Sequence, residues 1–167
     1  MIQLTGIATR ESRRQTFHQM KSRQQDWAGT GDKSVRERLF RVVNLAQGTM
    51  LASSVVVADT SKTRRRGLLG RESLSPGEGL WIIPCESVHT IFMRFPIDLI
   101  YLDRQKRIKK LRSDVNPWRL SACFSADSVL ELAAGSIGAS RSKLGDMLDF
   151  TLALAVNDLD PSNEAYS

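Results

Sequence analysis

The sequence predicts an α+β domain that is mostly β: a single compact curled antiparallel sheet, or a partly open small barrel, with one or two short helices. Three observations predict it. Short apolar runs rich in Val, Ile and Leu recur through the middle of the chain, at strand length rather than helix length. Gly, Pro, Asn and Asp clusters fall between them, where turns belong. No long amphipathic helices separate the runs, which argues against a doubly wound parallel sheet.

Taken in order, Leu51–Ala58 carries Val55-Val56-Val57, a β-branched run that reads as a strand. Asp59 and Thr60 are good helix N-caps, and a short helix is expected over Ser61–Leu69, stopped by Gly70. Ser75-Pro76-Gly77 is a turn. Gly79–Ile83 reads as a buried strand ended by Pro84. Ile97–Leu102 and Arg107–Leu111 form a hairpin about a tight turn at 103–106. Val129–Ala133 is a further strand, a short helix is expected over Ser140–Leu144, and Asp149–Leu154 is the last of six strands.

Composition bounds the rest. The chain has 167 residues, 41% hydrophobic and 25% charged, an ordinary globular mixture. Its net charge of +6 is unevenly spread. Residues 1–41 hold nine Lys/Arg against four Asp/Glu; the remaining residues hold fifteen against fourteen. The chain therefore divides into a basic tail (1–41), a nearly neutral domain (42–153) and a polar C-terminal tail (154–167). The basic tail is read as mobile or as the product of a misplaced start codon. A helix over Asp32–Leu45 is expected at its end. No apolar stretch has the length of a membrane helix, so membrane insertion is not expected. Two cysteines, Cys85 and Cys123, are too few for a disulfide framework, and two reduced thiols in a cytoplasmic protein are expected.

The densest chemistry lies between Pro84 and Asp103, where Cys85, His89, Met93, Arg94 and Asp98 stand among apolar residues. Asp98 lies between Ile97 and Leu99, and Glu131 between Leu130 and Leu132. Acids inside apolar strands need cations or donors. Arg71, Arg94 and His89 are the available ones. Three chemistries compete. Cys85 with His89, oriented by Asp98, would suit acyl transfer, although no nucleophile elbow is present. Cys85, His89 and Met93 are soft ligands, but the set is too small for a closed metal site, and no metal or other cofactor is assigned. Arg71, His89, Arg94, Asp98 and Glu131 could instead line a polar ligand pocket, with Trp81 and Phe92 as apolar walls. The basic residues Arg104, Lys106, Arg107, Lys109, Lys110 and Arg112 lack interleaved aromatics. They read as a protected sheet edge rather than a nucleic-acid surface.

One resemblance runs through these residues. Ala58-Asp59-Thr60, Arg64-x-Arg66-Gly67-Leu68-Leu69-Gly70-Arg71 and Gly79-Leu80-Trp81-Ile82 are followed by Cys85-x-x-x-His89-Thr90-x-x-Met93-Arg94-Phe95-Pro96-Ile97-Asp98. Leu102-Asp103, Leu130-Glu131-Leu132-x-Ala134-Gly135 and Gly145-Asp146 complete the series. In order and spacing, the series from about Val42 to Phe150 resembles the family catalogued as domain of unknown function 192. Ala133 departs from it, where the family often has proline. The resemblance implies a compact β-rich fold and no activity. The expected function is a non-catalytic accessory domain that binds a small molecule or a protein partner. Its polar pocket is placed around His89, Asp98, Arg71 and Glu131. A small hydrolase or transferase using Cys85 and His89, and an RNA-associated basic protein, are the alternatives.

Overall fold

A computed structural model describes residues 38–153 of the chain. The C-terminal tail and residues 1–37 lie outside these, and with them most of the basic tail. The elements run β1 (Leu39–Asn44), β2 (Thr49–Ala58), α1 (Ser61–Arg66), β3 (Glu78–Ile82), β4 (Ser87–His89), β5 (Ile97–Leu102), β6 (Ile108–Val115), β7 (Leu120–Ala122), β8 (Ser128–Ala133), α2 (Ser136–Ser140) and β9 (Leu148–Leu152).

Seven strands form one curled sheet in the order β6-β5-β8-β3-β2-β1-β9, and β4 pairs with β7 in a separate ribbon. The fold is α+β and mostly β, a half-barrel with two short helices. Its two edges meet at one end. The Ile108 amide donates to the Asp146 carbonyl at 2.8 Å and the Leu148 amide to the Lys106 carbonyl at 3.0 Å. Buried Asn44 locks this seam by donating to Asp146 Oδ2 at 2.8 Å and to Ser142 Oγ at 3.1 Å. One pair departs from the antiparallel expectation: β2 and β3 run parallel. Parallel neighbours need a long crossover, and residues 59–77, with α1, supply it.

The sheet is buried on both faces at its centre, which is why β5 and β8 read as unbroken apolar runs. Leu80, Ile82, Leu99, Tyr101 and Val129 point to the outer core, which the turn after α1 (Leu68, Leu69) and residues of and beside the β4–β7 ribbon cover. Val55, Trp81, Ile100, Leu102, Leu130 and Leu132 fill the concave side. There Trp81 stacks on Phe150 at 4.0 Å, and the Lys106 ammonium lies 4.6 Å from the Trp81 ring centre. Gly79 lets strands pack closely. A Cβ there would come within 2.8 Å of Leu132 Cδ2 and 3.0 Å of the Glu131 carbonyl. Gly79→Ala is therefore expected to lower stability by about 1–3 kcal/mol, as overpacking does, in a urea titration.

Three local expectations are corrected. Leu39–Asn44 is a strand, not the end of a helix over Asp32–Leu45, because Val42 is buried between partners on β2 and β9. The first helix stops at Gly67 (φ 49) rather than Gly70, so that Leu68 folds back into the core. The second helix lies at Ser136–Ser140, before the expected 140–144. It has no side-chain cap of its own; the Ile137 amide donates instead to Asp98 Oδ2 at 2.8 Å, across 39 residues of sequence.

Candidate functional site

The site is built where the crossover faces the β3–β4 connection. Thr60 caps α1 with a reciprocal capping box shared with Thr63. Arg64 then reaches back across the gap, donating to the Asp59 carbonyl at 2.6 Å, the Ile83 carbonyl at 3.2 Å and Ser61 Oγ at 3.3 Å. Opposite, the chain leaves β3 through a cis Ile83–Pro84 bond and enters β4. Between them lies an open cleft of about 920 Å³. Arg64, Arg65, Arg66, Glu86 and His89 contribute its charged and titratable rim, Leu68, Leu69, Val88 and Met93 its walls, and Ile82 and Glu131 its floor.

Glu131 is the unusual group. Its side chain faces the outer core between Leu80 and Leu99 on the neighbouring strands, and the residue is 4% exposed. Its Oε2 has no hydrogen-bond partner among the described residues. Burial pushes its carboxyl up to about 8, so at pH 7 it is a neutral acid able both to donate and to accept. Nearby lie the buried hydroxyls of Tyr101 and Ser121, neither with a well-aligned hydrogen bond among the described residues. Burial raises the Tyr101 hydroxyl, against a lowering by the approaching Ser121. Cys85 stands between rim and floor, influenced by both Arg64 and Glu131. Its thiol donates to the Ser87 carbonyl at 3.1 Å, and burial raises its pKa.

The residues singled out in the sequence separate. Cys85, His89, Met93 and Glu131 come together at the cleft. Asp98 does not. It is fully buried on the concave side, one residue out of phase with Leu99, and accepts from the Asp114 amide at 2.9 Å and the Ile137 amide at 2.8 Å. Arg71 pairs with Glu78 at 3.8 Å, and Arg94 with Glu72 at 3.8 Å on the surface. The expected aromatic walls are absent from the cleft: Trp81 belongs to the concave core, and Phe92 stands exposed against Trp118 with ring centres 4.9 Å apart. Both cysteines are free. Among the described residues no three His, Cys, Asp or Glu side chains gather to hold a metal. The basic hairpin strand β6 is an edge of the sheet. Sequence reasoning missed Arg64 and Tyr101. Three consecutive arginines hid which one turns inward, and Tyr101 reads as an ordinary strand aromatic.

The family model DUF192, described as "Uncharacterized ACR, COG1430", matches residues 42–150. The chain belongs to the DUF192 family. This DUF192 chain is 30% identical over 118 residues to a UPF0127 protein of Thermococcus sibiricus, covering 65% of the chain and 73% of the relative. A UPF0127 protein of Thermococcus kodakarensis is 28% identical over 116 residues, covering 66% and 73%. Among solved structures, the DUF192 fold resembles a Sinorhizobium meliloti protein proposed to be a transcription regulator (TM-score 0.62, 20% identity, 72% of this chain and 98% of that one). It also resembles a Novosphingobium aromaticivorans protein of unknown function (TM-score 0.58, 19% identity, 73% and 99%). At these identities the likeness concerns the fold. Among the described residues of this DUF192 chain, no helix is long and apolar enough to cross a membrane.

Proposed function

We propose that the cleft binds a small organic molecule, non-catalytically, and that this DUF192 domain is a ligand-binding accessory domain. One observation carries the reading: the buried, unpartnered carboxyl of Glu131 at the floor of an open cleft. A buried polar atom without a partner is costly, and a ligand group that answers it recovers that cost. Apolar walls of Leu68, Leu69, Val88 and Met93 face a polar, charged rim, a mixed lining that would bury a small molecule's apolar part and orient its polar groups. His89 and Glu131 stay in this site; Asp98 and Arg71 serve elsewhere in the fold.

The chemistry at Cys85 supports binding over catalysis. An activated thiol has a lowered pKa and a base as its partner. Cys85 has a raised one, and its hydrogen is committed to the Ser87 carbonyl. Its alkylation by iodoacetamide at pH 7.5 is expected to be about tenfold slower than that of the unfolded chain. Labelling faster than the unfolded control would favour the hydrolase alternative. The binding reading itself is tested by mapping amide shifts of the labelled protein against a library of small fragments. Hits should converge on Leu68, on residues 85–89 and on Glu131. Hits scattered over the surface, or none, would sink it.

A further inference from the structure

We propose, building on the binding role above, that the cleft is made for an amphipathic monoanion. Its oxyanion would be held by Arg64 and Arg65 at the rim, its apolar body would lie along Leu68, Ile82 and Met93, and a hydrogen-bonding group would meet Glu131 at the floor.

The first support is the placement of counter-ions. Arg71 and Arg94, outside the cleft, each face a carboxylate, Glu78 and Glu72. Arg64 and Arg65, at the rim, do not. Among the described residues Arg64 donates only to neutral oxygens, of Asp59, Ile83 and Ser61, and Arg65 only to the Ser61 carbonyl at 3.2 Å. Glu86 also lines the cleft, yet it forms no ion pair with either. Arg64 and Arg65 thus present guanidinium charge at the rim with no carboxylate paired to either among the described residues.

The second support is rigidity. Three acceptors fix the Arg64 guanidinium in place and leave Nε–H and one Nη2–H uncommitted. A guanidinium already held in position loses little freedom when it meets an oxyanion.

The third is the separation of rim from floor. Among the described residues Glu131 forms no ion pair, and it is 4% exposed. A ligand charge placed beside Glu131 would be buried without a counter-ion, which is prohibitive. At the rim the same charge is paired and half solvated. The ligand must therefore carry its charge at one end and an uncharged polar group, or its apolar end, at the other.

The test is calorimetric titration of the full chain with octanoate, 1-octanol, octylamine and inorganic phosphate, with amide shifts locating each. Octanoate should bind at the cleft at least about tenfold more tightly than octanol, and octylamine should not bind there. Arg64→Gln with Arg65→Gln should weaken octanoate by about tenfold or more. Arg65→Gln alone, on the exposed side of α1, should weaken it in a chain that keeps its amide spectrum, and Arg64→Lys should recover only part of the loss. Octanol and octylamine binding the cleft within about twofold of octanoate would overturn the anion assignment and leave the binding role intact. Phosphate binding the rim as tightly as octanoate would overturn the amphipathic part. Absence of every probe from the cleft would remove the proposal, and a blank fragment map would remove the binding role with it.

Discussion

As pH rises from 4.5 to about 8, the folded domain is expected to lose roughly 4–5 kcal/mol of stability through Glu131 alone. The sign follows from where the proton resides. Below about 4.5 the carboxyl is protonated in both the folded and the unfolded chain, and its burial adds nothing that varies with pH. Between 4.5 and about 8 the unfolded chain releases the proton while the folded chain keeps it. The folded state then binds more protons, and stability falls by about 1.4 kcal/mol per pH unit. Above about 8 both forms are ionised and the loss is complete. Glu131→Gln removes this titration with nearly the same shape. The difference between wild type and E131Q in urea denaturation at pH 5, 6, 7 and 8 should therefore grow steadily in favour of the variant. A difference that stays flat with pH would mean that Glu131 is ionised in the folded protein.

Asp98 should hold the fold together where Glu131 strains it. Its two oxygens each accept a buried or partly buried backbone amide, one of which opens α2. A buried backbone amide left without an acceptor costs about 1–3 kcal/mol. Asp98→Ala removes both and leaves two amides unanswered, so a loss of about 3–5 kcal/mol is expected. Asp98→Asn keeps one acceptor but turns an NH2 donor toward the other amide, and should cost about 2–3 kcal/mol. In the same variants the rate of Cys85 alkylation in the folded state should not change, because Asp98 lies on the far side of the sheet. A small stability change combined with altered Cys85 reactivity would place Asp98 in the site after all.

These two acids show where the sequence was legible. Both stand in apolar runs flanked by leucine or isoleucine, and locally they look alike. The runs are long enough to declare strands: β5 appears at the expected residues, and β8 begins one residue early. Which face each acid takes depends on register, and pairing Leu99 with Glu131 puts Asp98 on the other side. Register is set by contacts between distant segments, so no local pattern carries it. The same limit hid β4 and β7, three residues each, too short to show a period. It also hid α2, whose capping acceptor is the distant Asp98.

The crossover between β2 and β3 has a consequence for descent. Its ends are pinned by the parallel register of Ser54 with Glu78 and Ala58 with Ile82. The segment from Asp59 to Gly77 contributes no strand to the sheet, yet it supplies one whole wall and the arginine rim of the cleft. Length and charge in such a segment can drift at little cost to the frame beneath it. The domain is thus divided into a sheet that carries the core and a crossover that carries much of the cleft. Grafting this segment from one relative onto the sheet of another should transplant ligand preference, and lineages could diversify what they hold without rebuilding the core.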